Sequence, residues 1–525
     1  MASDGIISPT VSIRPLARRM DRLYHSPLAR NILLVLLGLC AGGIVIAAFA
    51  TKPLYGLAAA AAFLALPLLA YRPLDLFWLF LLAILVLEEF PSGYGETAER
   101  SLRTPFYGTS IGIPGTYATD LLLYGVLALY LLDMLLRRRS LRIPLDGIGM
   151  GLMAMVLTAI TSVVFSFLDG DPLRQGLIQE TAGTGFEVNE IAARLIAFFQ
   201  FKNFSCLFSA YLLGIIVIQT PAHVRKFVKT VGIGIVICVG IGIFRLVTHP
   251  EWVAQTIPLF YDSPSVWLFG MVGFYVVAAW SLDLLDHRRT VMLAALTGVL
   301  AVFILLSFRR TMWGGILFCM VPFFFWISGR ARVRLFVAGL LGACLVGVAL
   351  LASPVGSLIM KSVFERVGQT SVADTSTLYR LALAVYVTQH YSEIPLFGYG
   401  VMPLWNKFMS LGYFRTNIEN AHSLYYWLLF RMGMVGLATA LLTFGIAVRK
   451  AWVLSRNAIN PHDRVMAIVL MLAIVLFLFS GIFNPVYAET RYTITLGLGL
   501  ALISRIGQFN RMTEKSEAIH GSNNA

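Results

Sequence analysis

Val465-Met-Ala-Ile-Val-Leu-Met-Leu-Ala-Ile-Val-Leu-Phe-Leu-Phe-Ser-Gly481 decides the fold class. It carries no charge and is apolar on every side, so a helix built from it has no polar face to turn to water. At a rise of 1.5 Å per residue, about 20 such residues cross the hydrocarbon core of a bilayer. Comparable runs recur at 31–50, 54–70, 74–90, 118–136, 147–168, 191–219, 230–248, 265–284, 290–306, 311–328, 335–352, 422–447 and 492–508. The pattern predicts an all-α polytopic membrane protein with about 12–14 transmembrane helices. Composition agrees, since 58% hydrophobic against 13% charged residues cannot be hidden inside one water-soluble core.

The formal charge of +14 would suggest nucleic acid in a soluble protein. Here the basic residues gather in alternate loops between apolar runs, so topology explains them and no nucleic-acid partner is expected. One set of loops holds the arginines before residue 31, Arg72, Arg137 to Arg142, Arg225 to Lys229, Arg288-Arg289, Arg330 to Arg334, Arg449 to Arg464, and the tail with Arg511 and Lys515. That set is expected in the cytoplasm. The other set includes 88–117, 168–190, 249–265, 307–310, 353–421 and 483–492, and is expected to face outward. The chain then divides into a basic cytoplasmic tail (1–30), helices (31–352), one large, partly helical periplasmic loop (353–421), further helices (422–508) and a disordered cytoplasmic tail (509–525). Cys40, Cys206, Cys238, Cys319 and Cys344 all sit in apolar runs without ligand spacing, so neither disulfides nor a metal is expected.

The outward loops hold the chemistry. Arg309-Arg310, in Phe308-Arg309-Arg310-Thr311-Met312-Trp313, lies where basic residues should be scarce; snorkelling beside the tryptophan is the ordinary reading, and an anion site the functional one. Within the large loop, helical spacing predicts one surface helix over 358–367. Asp374-Thr375-Ser376-Thr377 offers caps for another running to about His390. Arg380 in its first turns is disfavoured by the helix dipole, which a bound anion or an ion pair with Asp374 would offset. Pro395-x-x-Gly398-x-Gly400 signals a turn, Arg415 adds a further positive charge, and Asn420-Ala-His422-Ser opens a helix carrying Gly433-x-x-Gly436. His422 there is either a helix cap or a base.

Together these motifs, in this order, resemble the O-antigen ligase and polymerase superfamily over roughly 200–505, most closely at 300–440. Phe260-Tyr261-Asp262-Ser263-Pro264 resembles a short polar motif of that family as well. The family often has Ser-Arg where this chain has Arg309-Arg310, so Arg310 matches the family arginine and Arg309 is an addition. The resemblance implies a periplasmic-face, metal-independent, inverting glycosyltransferase of the bacterial inner membrane. Its donor is an undecaprenyl-diphosphate-linked oligosaccharide, and it uses no cofactor. It implies His422, Arg310 and Arg380 as catalytic, with Arg309, Arg415, Asp262, Asn420 and Arg491 binding substrate. Partners would be a glycan or lipid acceptor, membrane lipids and other polysaccharide assembly proteins. The Arg-Thr-x-Trp form and the long amino-terminal extension favour polymerase over ligase to lipid A-core or protein oligosaccharyltransferase. A transporter or lipid-linked glycan flippase accounts for the helices and for Arg245 and Arg431, but predicts internal repeats that the sequence does not display.

Overall fold

The structure is a computed structural model that describes residues 73–86, 118–136, 146–168, 190–249, 260, 263–351, 361, 375–398, 400, 423–484 and 490–522. The expected spans at 31–50 and 54–70 and most of the expected helix at 358–367 lie outside these residues. Among the described residues the regular elements are helical: α1 Pro73–Val86, α2 Ala118–Leu136, α3 Gly147–Leu168, α4 Glu190–Val217, α5 Pro221–Thr248, α6 Ser263–Ser281, α7 His287–Leu306, α8 Arg310–Trp326, α9 Gly329–Leu351, α10 Thr375–His390, α11 Leu424–Asn457, α12 Pro461–Phe483 and α13 Thr490–Ser522. Six of them, α3, α5, α6, α7, α11 and α12, are long and apolar enough to cross a membrane. The chain is an all-α, multi-pass membrane protein.

Local chemistry sets several boundaries. α5 and α12 each begin with a proline at a first helical position whose missing N–H costs nothing. The preceding Thr220 and Asn460 accept hydrogen bonds from the His223 and His462 amides. Asp286 caps α7 through the Arg289 amide at 2.7 Å. α10 covers the segment for which the Asp374–Thr377 cap signal predicts a helix. α13 departs from expectation. It continues through Ser522 where the polar composition predicts a disordered tail. Phe509 is buried, Asn510 accepts from the Ile459 amide at 2.9 Å and donates to Glu514 at 2.7 Å, and these contacts carry the helix past its apolar part.

α12 is the hub. It packs against α11, α8, α6 and α13, while α13 lies along α4 and α11 along α3. Trp267 on α6 donates its indole N–H to the Ala473 carbonyl at 3.1 Å, and Trp326 on α8 donates to Ser455 on α11 at 3.2 Å. Close approach is enabled by small residues: a Cβ on Gly497 of α13 would stand 2.5 Å from the Leu207 carbonyl oxygen on α4. The helix ends thereby sort into two layers. One holds Lys226, Arg334, Lys450 and Arg456; the other holds Arg309, Arg310, Arg380 and Arg491.

At the Lys450 layer one carboxylate ties four helices together. Asp146, just ahead of α3, accepts from the Gly149 amide at 2.9 Å, Tyr211 of α4 at 3.3 Å and Ser504 of α13 at 2.7 Å, and pairs with Lys450 of α11. Burial alone would push this carboxyl up. The Lys450 ammonium, by its charge and its hydrogen bond, outweighs that together with the Gly149 and Ser504 hydrogen bonds and holds the carboxyl below the ordinary carboxylate range. Asp146→Asn leaves Lys450 half-buried without its counter-charge and is expected to destabilise the fold by about 2 kcal/mol. Thermal unfolding of the purified protein reads this as a lower midpoint. Because the folded value is depressed, the contribution is complete at neutral pH and is lost as pH falls through that folded value. An unchanged midpoint in the variant would remove Asp146 as the junction.

Candidate active site at the end of helix α12

The α7–α8 connection is a tight turn. Ser307 caps α7, Phe308 takes a left-handed backbone (φ 51) with its ring buried, and α8 starts at Arg310. Trp313 does not reach for the interface. Its indole N–H donates to the Ile304 carbonyl of α7 at 2.7 Å, which pins the hairpin. Arg309 and Arg310 are thus held half-buried on a fixed turn at the head of α8. From Asp286 to Glu365 the sequence contains no other carboxylate, so this segment is uniformly electropositive.

Three separate pieces of chain converge on the last turns of α12. From α8, Thr311 accepts from the Asn484 side-chain amide at 3.4 Å, and Met312 receives the Ser480 hydroxyl at 3.6 Å. From α10, Arg380 donates its Nε–H to the Phe483 carbonyl at 3.2 Å. From the head of α11, Tyr425 donates to the Leu478 carbonyl at 2.9 Å, and Leu424 packs over Gly481 so closely that a Cβ there would stand 2.7 Å from its side chain. The Arg309-Arg310 turn, the Arg380 helix and the start of α11 therefore share one platform. The carboxyl end of a helix is its electronegative end, so cationic side chains are favoured there.

Arg491 sits apart from that platform, at the head of α13. It is fully buried, and its guanidinium donates to Ser265 of α6 at 2.8 Å and to the Leu85 carbonyl of α1. Asp262, Arg415, Asn420 and His422 lie outside the described residues; the described chain resumes at Ser423, the neighbour of His422 in sequence. Arg245 is buried in the last turn of α5. Among the described residues no group of three or more His, Cys, Asp or Glu side chains converges to hold a metal ion.

Sequence reasoning missed Phe483-Asn484, the piece that joins the Arg310 and Arg380 segments. The available signal was Asn484-Pro485 directly after an apolar run, a helix-ending pair that leaves an amide side chain at the terminus. It also missed the break in α11, where Gly433 has φ 67 and ψ −167.

Residues 294–441 match the family model described as O-antigen ligase. The matched segment runs from within α7 to within α11 and contains Arg309, Arg310, Arg380, Arg415, Asn420 and His422, while Asp262 and Arg491 fall outside it. No curated protein matches the chain significantly. An all-α, multi-pass membrane fold thus carries, assembled around α12, a segment of 148 residues that is similar to the O-antigen ligase family.

Proposed function

We propose that the chain is an inverting glycosyltransferase at the periplasmic face of the bacterial inner membrane, acting on an undecaprenyl-diphosphate-linked glycan. The observation that carries this reading is the convergence of the Arg310 turn and the Arg380 helix on the end of α12, beside the start of the helix that follows His422. The departing group is a lipid diphosphate, whose charge develops as the glycosidic C–O bond breaks. Guanidinium groups on rigid elements suit that task, because they present paired donors to phosphate oxygens. The reading assigns this charge handling to Arg310 and Arg380 and calls on no metal.

His422 takes the proton from the acceptor hydroxyl as its oxygen bonds to the anomeric carbon. The same displacement expels the diphosphate on the opposite face, so one step inverts the anomeric centre. Arg309, Arg415, Asp262 and Asn420 bind donor or acceptor. Arg491 acts by holding α13, α6 and α1 in register at the same end of the bundle.

Orientation rests on charge. Arg225, Lys226, Lys229, Arg288, Arg289, Arg330, Arg332, Arg334, Lys450, Arg456 and Arg464 all belong to the layer opposite Arg310, which favours the cytoplasm for that layer. Ser392, exposed just after α10, supplies a test. With the native cysteines replaced, Ser392→Cys is expected to react with a membrane-impermeant maleimide in intact spheroplasts. Labelling only after lysis would reverse the topology and the mechanism with it.

The acceptor separates polymerisation, which the Arg-Thr-x-Trp form favours, from ligation. In a deletion strain, loss of polymer with the single repeat unit still made is expected. Lipid-linked polymer accumulating without transfer would assign the chain to ligation, and normal polymer on a normal anchor would remove both.

A further inference from the structure

In an unbroken α-helix the Val435 amide would donate to the Arg431 carbonyl four residues earlier. At Gly433 the backbone leaves the helical region, in a conformation that essentially only glycine adopts and that breaks the helical path of that hydrogen bond. Both of its halves are satisfied elsewhere. The Val435 amide donates to the Leu396 carbonyl of the loop at 3.3 Å, and the Arg431 carbonyl accepts the hydroxyl of Ser162 from α3. An unsatisfied backbone group at membrane depth costs several kcal/mol, so the break persists because these two partners meet it.

The loop seats on the break through backbone alone. Gly398, at φ 77, closes a turn by donating to the Pro395 carbonyl at 2.8 Å. A Cβ on Gly398 would stand 2.6 Å from the Arg431 carbonyl oxygen, and one on Gly433 would overlap the Leu396 carbonyl. The contact lies about 13 Å along α11 from Leu424, at 1.5 Å per residue. The Pro395–Gly398 turn therefore reaches well below the helix ends on which the candidate site is built. It also follows α10 after only a single 3₁₀ turn, Tyr391–Glu393, so its seat constrains where Arg380 stands. The turn of α11 before the break is itself anchored: Arg431 lies over the Trp427 ring at 4.9 Å, and Trp427 stacks on Phe204 of α4 at 4.8 Å.

We propose that Ser162 is a positioning residue for glycan transfer: by holding the Arg431 carbonyl it keeps the break in α11 open for the Leu396–Gly398 turn, and so sets α10 with Arg380 against the head of α11. Ser162 lies outside the segment matched by the family model, which gives the first half of the chain a direct part in the site. The inference rests on the glycosyltransferase reading above.

The test pairs kinetics with a cross-link that needs no activity. Ser162→Ala is expected to lower kcat about ten-fold, the scale of one lost hydrogen bond to a buried acceptor, while KM for the lipid-linked donor moves less than about two-fold. Ser162→Thr, which keeps the hydroxyl, is expected to retain most of the turnover. In a background with the native cysteines replaced, Leu396→Cys with Val435→Cys is expected to be joined rapidly by a short reducible bis-methanethiosulfonate, and more slowly when Ser162→Ala is added. Joining the pair in the Ser162→Ala protein is expected to restore turnover, and reduction to remove it again. Full turnover by Ser162→Ala, or a cross-linking rate indifferent to it, overturns the inference. If the unsubstituted protein shows no transfer while the cysteine pair still responds to Ser162→Ala, the enzyme reading fails and the seat of the turn stands.

Discussion

Arg310→Ala and Arg380→Ala are each expected to lower glycan transfer by about two to three orders of magnitude, the usual cost of losing a preorganised charge contact to a developing anion. The protein should remain in the membrane with an unchanged melting profile, because both arginines are only half-buried, Arg310 at the head of α8 and Arg380 on α10. The Phe483 carbonyl takes the Nε–H of Arg380 and so fixes the plane of its guanidinium. Lysine at either position keeps the charge but not the planar fork, and is expected to recover only part of the rate. For Arg380→Lys the deficit should be larger, since lysine also loses the contact that orients the side chain. Purified variants given lipid-linked glycan measure this directly. Full turnover by Arg380→Ala would leave that arginine as an anchor for α10 and nothing more.

His422→Asn is expected to cost about two to four orders of magnitude if the imidazole accepts the proton of the acceptor hydroxyl. The substitution is chosen because asparagine caps a helix at least as well as histidine and cannot act as a base near neutral pH. A capping role would therefore survive the change, and a chemical role would not. The pH profile of the unsubstituted protein supplies the second readout. Only neutral imidazole can take a proton, so the rate should fall as pH drops through the pKa of that imidazole. In His422→Asn that limb of the profile should vanish from whatever activity is left. Near-normal turnover by the variant would remove His422 from the mechanism and leave the arginines as a diphosphate-binding site.

The sequence by itself determined what depends on neighbours along the chain. Whether 465–481 spans a membrane is decided by the side chains of that one helix, since an all-apolar surface has no alternative to lipid or packed protein. The same locality makes α10 legible from its cap residues and makes Arg309-Arg310 stand out as basic residues on the face where they should be scarce, although only the structure puts Arg310 at the start of α8. The extension of α13 was not legible, because it depends on an amide of Ile459 that comes close only when α11 and α12 fold beside it. For the proposed site, the residue types could be named from the sequence and their arrangement could not. Arginine suits a diphosphate wherever it stands, but nothing along the chain says that Thr311, Arg380 and Tyr425 share the end of α12, or that Ser162 completes a hydrogen bond that Gly433 leaves open. Those meetings join residues between 53 and 269 positions apart. They are selected by the requirement that every backbone group in the membrane find a partner, which only the packed bundle can satisfy.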